Sequence, residues 1–230
     1  MTPAAEKAKV GDKYCDTPKD DILALIPGDA VRILDVGCGA GATGRELKAR
    51  RSCEIFGVEI DAGRAARAES RLDKVLRADI ETAELPFEAL SFDCVVCADV
   101  LEHLRDPWTT VRKLRRFLKP GGCLVAGLPN VRHWRVLKNL IVSGTWAYEE
   151  SGILDRDHLR FFARKDILRM FEEAGFATER LAAVSGSRSR FFRMTAEKRG
   201  PFDVLTGGLF RNFLALQYVA RFRKTGGFAE

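Results

Sequence analysis

The chain reads as an α/β protein built on a doubly wound, mostly parallel sheet, and three observations predict it. Short β-branched runs (Val31–Val36, Glu54–Ile60, Phe92–Ala98, Cys123–Leu128) alternate with stretches of helical apolar spacing, the pattern of βαβ units. The first run ends abruptly in Gly37, Gly39, Gly41 and Gly44, and the helix formers of Arg45–Arg50 follow. Acids stand at or near the ends of successive runs, Asp35, Glu59, Asp79 and Asp99, where an open parallel sheet presents its ligand crevice.

Length and composition set the bounds. The 230 residues, 46% hydrophobic and 30% charged, fit a single domain over 1–230. No run approaches the roughly 18 apolar residues of a membrane helix, and the N-terminal residues lack a signal peptide's apolar segment, so a cytoplasmic protein without membrane insertion is expected. Six cysteines without scaffold spacing fit reduced thiols; Cys94 and Cys97, three apart on one strand, point to opposite faces and share no metal. The net charge of +6 leans toward anionic partners. Its excess gathers between Arg188 and Lys224, as either a solvated face or a contact for an anionic acceptor.

The glycine turn is where function begins. Glycine lets the chain bend sharply and brings backbone N–H groups at Gly37, Gly39 and Gly41 against a ligand, at the positive end of the next helix. The spacing Gly39-Ala40-Gly41-Ala42-Thr43-Gly44 also satisfies the dinucleotide pattern G-x-G-x-x-G. Asp35 separates the two cofactors. A carboxylate at that strand end would face a pyrophosphate, whereas it suits the ammonium and sulfonium of S-adenosylmethionine.

The run ILDVGCGAG resembles motif I of the class I S-adenosylmethionine-dependent methyltransferases. The likeness continues through LKPGGCLVAGLPN and covers about Pro27 to Asn130. It implies a Rossmann-like, mostly parallel seven-stranded sheet, with Leu216–Arg223 as a final antiparallel edge strand, and S-adenosyl-L-methionine as cofactor.

Taken in order, residues 14–26 hold a helix expected to start near Thr17-Pro18 and to cover the cofactor, with Tyr14 over its methionine part. Glu59, twenty residues beyond Gly39, stands where a βαβ unit places a carboxylate on ribose hydroxyls; Ile60 lies beside it, and Asp61 is the weaker candidate. A helix over Ala62–Leu72 and a short strand over Lys74–Glu81 follow. At its end the resemblance implies that Asp79 accepts the adenine amino group while the Ile80 N–H meets the ring. Ala98 and Asp99 close the fourth strand at the crevice. The segment DVLEHL resembles that of ubiquinone-type O-methyltransferases, where an acid, a Glu and a His are linked to a divalent metal; Asp99, Glu102 and His103 match it. Because Glu102 and His103 are adjacent rather than facing on a helix start, capping and solvent contact is the reading favoured over metal binding.

A helix over Trp108–Leu118 and the strand Cys123–Leu128 complete the first half. Residues 131–163 then insert an amphipathic basic helix, Trp134 to Val142, read as a substrate cover in preference to a membrane-surface contact. PNVRHWRV and DHLRFF look like methyltransferases of glycan and small-molecule tailoring, and partly like a methionine-biosynthesis relative. A helix over Arg164–Ala174 and a strand near Ala177–Val184 come next.

Methyl transfer from a sulfonium is an in-line displacement, to which general-base removal of the acceptor's proton is an addition. His158 matches the acceptor-facing histidine of O-methyltransferase relatives; His133 is its rival and His103 comes third. The D/N-P-P-[YFW] run of N-methyltransferases is absent after the fourth strand, where Ala98-Asp99-Val100-Leu101 stands. An oxygen acceptor on a small molecule, sugar or sugar nucleotide is therefore expected, and no nucleic-acid partner. The alternatives are a methyltransferase-fold binding partner without catalysis and a nicotinamide-dependent reductase; no Tyr-x-x-x-Lys supports the latter.

Overall fold

The computed structural model describes residues 16–185, 194–195 and 209–226. In chain order the elements are α1 (Asp20–Leu23), β1 (Arg32–Val36), α2 (Ala42–Arg50), β2 (Glu54–Glu59), α3 (Ala62–Glu69), β3 (Lys74–Arg77) and β4 (Phe92–Ala98). After a one-turn 3-10 helix at Leu101–His103 come α4 (Pro107–Phe117), β5 (Leu118–Pro129), α5 (Trp134–Val142), α6 (Arg164–Glu173), β6 (Phe176–Val184), β7 (Met194–Thr195), α7 (Leu209–Leu214) and β8 (Gln217–Lys224).

The strands form one sheet in the order β3-β2-β1-β4-β5-β8-β6-β7. β1 pairs in parallel with both β2 and β4, so the winding direction reverses beside it and opens a crevice at the strand ends. The last long strand is antiparallel, as expected, but it sits inside the sheet rather than at its edge. β8 runs antiparallel to β5 on one side and to β6 on the other. The physical reason is its unbroken buried run Tyr218–Phe222, which needs cover on both faces and leaves no solvent-facing alternation. The edge is the two-residue β7, antiparallel to β6.

Two apolar layers flank the sheet. Leu34, Val95, Cys97 and Leu124 face α4 and α6, where the Phe171 ring stacks on Phe222 at a centroid distance of 3.7 Å. Ile33, Cys94 and Val125 face α1–α3. Cys94 and Cys97 thus fall in opposite layers, as the strand period requires.

Capping side chains fix two of the helices that frame the crevice. The Asp61 carboxylate accepts from Arg64 N at the start of α3, and Asp106 accepts from Thr109 N ahead of Pro107 in α4. α1 departs from expectation: it starts at Asp20 behind Lys19, with no side-chain cap. Lys19 instead sends its ammonium into the crevice, to Ala98 O and Asp99. Among the described residues no helix is long and apolar enough to cross a membrane.

The inserted segment is stapled to the sheet end. Leu159 N and Arg160 N both donate to Glu102 O, at 2.8 and 3.0 Å, and Val131 N donates to Phe162 O at 3.0 Å. α5 buries Val136 and leaves Leu140, Ile141 and Val142 exposed.

Candidate active site

The ends of β1, β2, β4 and β5 open into one cleft of about 2010 Å³, larger than a single drug-sized ligand fills. Its two halves have different chemistry.

On the first half, the chain turns sharply after β1. Gly37 has φ +65°, and a Cβ there would collide with Val100 Cγ2, so glycine is required on both counts. The turn's N–H groups do not point at a ligand as the sequence suggested. Gly37 N donates to Val58 O (2.8 Å), Gly39 N to Glu59 Oε2 (2.9 Å) and Gly41 N to Cys38 O (2.9 Å). These donors close the turn on itself. Gly37 and Gly39 line the cleft, and Gly41, at φ +76°, instead caps α2 behind it. A pyrophosphate would thus find none of these three N–H groups available to it, which agrees with the inference from Asp35.

Glu59 is the hinge of this half. It is buried, and its carboxylate accepts from Gly39 N through one oxygen and from Asp61 N through the other, both at 2.9 Å. The twenty-residue spacing read from the sequence is thereby a direct bond across β1 and β2. Asp61 turns its own side chain to the start of α3, away from the ribose role it was weighed for. Ile60, at the cleft mouth, is 64% exposed, an apolar side chain that a bound ring would cover. Asp79 accepts from Glu81 N (2.9 Å) and Ile80 is buried beside it. Asp35 is buried, and burial pushes its pKa up to about 7, opposed by the Lys19 ammonium and reinforced by Glu59.

Sequence reasoning missed Lys19 and Gln217. Lys19 Nζ donates to Ala98 O at 2.8 Å and pairs with Asp99 Oδ2 at 2.7 Å, while Gln217 Nε2 donates to Asp99 Oδ1 at 2.8 Å. Asp99 is held at φ +58°, a left-handed conformation costing about 1–3 kcal/mol that these bonds fix in place. Only the fold brings residues 19, 99 and 217 together. Tyr14 lies outside the described residues.

The second half is built by the 3-10 turn and the insertion. Glu102 is 1% exposed, and neither carboxylate oxygen has a hydrogen-bond partner among the described residues. The expectation of capping and solvent contact fails there: β5 and the insertion bury a side chain that the sequence places on an accessible helix start. Burial, with the Asp99 charge nearby, pushes its pKa well above the usual carboxylate range. His103 and His158 meet edge to face, 4.8 Å between ring centroids. Their Nδ1 atoms lie 3.0 Å from Asp157 O and Ile153 O respectively. A carbonyl can only accept, so each Nδ1 carries a proton, and in the neutral form of each ring the lone pair is on Nε2. His133 has the opposite tautomer: its Nδ1 accepts from Arg135 N at 3.4 Å, leaving Nε2–H as a donor, and burial holds its pKa down.

Around this half stand Glu149, Glu150, Asp155 and Asp157, with Arg135 beside them and Arg156 paired to Glu150 at 3.2 Å. Arg221 and Arg223 pair with Glu179 at 2.8 and 2.6 Å on the sheet, and Arg188, Arg190, Arg193, Lys198 and Arg199 lie outside the described residues.

The likenesses to known proteins agree with this geometry. A family described as "Methyltransferase domain" matches residues 34–126. The chain is 30% identical over 192 residues to a ubiquinone biosynthesis O-methyltransferase of Neisseria meningitidis serogroup C, a match covering 74% of this chain and 79% of that one. It is 33% identical over 112 residues to the 27-O-demethylrifamycin SV methyltransferase of Amycolatopsis mediterranei, covering 46% of this chain and only 40% of the relative's length. An S-adenosylmethionine-dependent methyltransferase from Thermotoga maritima shares the fold with a TM-score of 0.67 at 19% identity, over 96% of this chain and 95% of that one. By these likenesses the chain belongs to the class I S-adenosylmethionine-dependent methyltransferases.

Proposed function

We propose that the protein transfers the methyl group of S-adenosylmethionine to a hydroxyl of a small molecule, with sugars and sugar nucleotides among the acceptors. The observation that carries this reading is one cleft with a carboxylate cradle at one end and, at the other, His158 with a lone pair on Nε2. In such a transfer the acceptor oxygen attacks the methyl carbon in line with the C–S bond. The sulfonium leaves as a neutral thioether, and the hydroxyl proton must depart.

Each residue then has a task. Asp35 meets the cofactor's cationic methionine end, and Glu59 both shapes the turn and faces the ribose. Asp79 and Ile80 hold the adenine, with Ile60 covering it. Ala98 and Asp99, with Lys19, close the strand end. His158 stands on the acceptor's proton side. His133, with Nε2–H, donates a hydrogen bond rather than taking a proton, which ranks it behind His158 as a base. The carboxylate-rich rim favours an uncharged hydroxyl-bearing part of the acceptor over an anionic one. Residues 131–163 act as the cover, a reading supported by their two backbone bonds to Glu102 O.

Calorimetry with S-adenosylhomocysteine, and product mass after incubation with labelled cofactor and a panel of nucleotide sugars, phenols and amines, test this. Micromolar binding and a mass gain on a hydroxyl compound are expected. Binding without transfer to any hydroxyl would support a methyltransferase-fold binding partner instead. Tight NADH binding with no adenosylhomocysteine signal would overturn the cofactor assignment.

A further inference from the structure

The resemblance of Asp99 to His103 to ubiquinone-type O-methyltransferases implies a divalent ion on Asp99, Glu102 and His103, and the structure tests that set residue by residue. Asp99 does not fit. Both its oxygens are engaged, one by Lys19 and the other by Gln217. Glu102 fits well: it lines the cleft, is 1% exposed, and offers two oxygens that no described group uses. A buried carboxyl left so is costly unless something binds it.

His103 fits too, and the residue that completes the cluster is His158. One ligand atom from each of Glu102, His103 and His158 lies within 4.8 Å of the other two. Both histidines donate Nδ1–H to a backbone carbonyl, the arrangement that orients metal-binding imidazoles and leaves Nε2 free to ligate. The insertion is held to Glu102 by two backbone bonds, so His158 cannot drift from its neighbours. Around an ion with bonds of about 2.0–2.2 Å, ligand atoms sit roughly 3.4 Å apart, so binding closes the widest pair by up to about 1.4 Å.

We propose that this chain binds one divalent ion through Glu102, His103 and His158, with Asp99 excluded. Two imidazole nitrogens and one carboxylate oxygen select zinc, manganese or iron over magnesium, which demands oxygen ligands. Bound there, such an ion orients an acceptor hydroxyl and lowers its pKa. This deepens the O-methyltransferase reading and rests on it for the ion's purpose. In the ion's presence His158 serves as a ligand in place of a direct proton acceptor.

The sequence contains only three histidines, so imidazole NMR of the untagged full chain titrated with zinc resolves the question. The Nε2 signals of His103 and His158 should move with one equivalent while His133 stays. By calorimetry, zinc affinity should fall at least tenfold in His158→Ala and in Glu102→Gln, and change less than about threefold in Asp99→Asn; magnesium should bind at least tenfold more weakly than zinc. Absence of zinc binding at 0.1 mM, a shift confined to His133, or loss in Asp99→Asn with retention in His158→Ala would each overturn the proposal. Adenosylhomocysteine binding, measured on the same samples, reports folding of each variant and tests the methyltransferase reading separately. The wild-type spectrum decides the matter even where a variant fails to fold.

Discussion

The two halves of the cleft are built on opposite plans. In the cofactor half two carboxylates hold backbone partners before any ligand arrives: Glu59 by Gly39 N and Asp61 N, Asp79 by Glu81 N. The parts are close in sequence, since β1, α2 and β2 carry most of them. In the acceptor half the Glu102 carboxylate has no partner among the described residues, and the histidine beside it bonds to a carbonyl 54 residues away. A preorganised cradle suits a ligand that never changes. An assembly of unspent acceptor atoms, shared between the 3-10 turn and the insertion, suits the part of the reaction in which relatives differ.

The sharpest way to break this comparison is at His158. His158→Ala should lower turnover by about 10²–10⁴ while adenosylhomocysteine affinity moves less than threefold, measured by single-turnover kinetics and calorimetry. A parallel loss of cofactor affinity would show that the halves are not separable. Glu59→Ala is the mirror experiment. It should weaken adenosylhomocysteine by about 1.5–3 kcal/mol, the usual cost of a charged hydrogen-bond partner, and leave zinc binding intact.

Gly37→Ala probes the turn itself. A side chain at φ +65° costs about 1–2 kcal/mol before the collision with Val100 is counted, so a lowered Tm and weaker cofactor binding should appear together. The smallest effect is the pH response of Asp35. Its folded pKa of about 7 lies above the ordinary carboxyl value of 3.8, so the folded state holds the proton more tightly than the unfolded one. The stability this group contributes is full below about pH 4 and is lost as pH rises through 7. Cofactor binding, which needs the carboxylate, should strengthen by up to about tenfold between pH 6 and pH 8 and become flat in Asp35→Asn. A flat profile in the wild type would mean that the cofactor's ammonium is held elsewhere.

Much of the cofactor half was legible because its determinants are local. The strand Phe92–Ala98 lies where the periodicity placed it, and Glu59, singled out by its distance from Gly39, accepts from that glycine's N–H. What the sequence misjudged depends on partners far along the chain. Glycine N–H groups looked available because a turn signal does not say which carbonyl will accept them. β8 looked like an edge because strand order is not written in strand composition alone.

The sequence by itself determined the alternation of strands and helices, the turn that only glycine can make, and the acids at the strand ends, since each follows from backbone sterics and short-range periodicity. The tertiary structure alone decided that Lys19 and Gln217 would occupy Asp99, that the Glu102 carboxylate would be buried without a partner among the described residues, and that His158 would come to stand against His103. Those outcomes depend on which distant segments share the limited space above the sheet. Burial changes the chemistry of a carboxylate or imidazole more than its identity does.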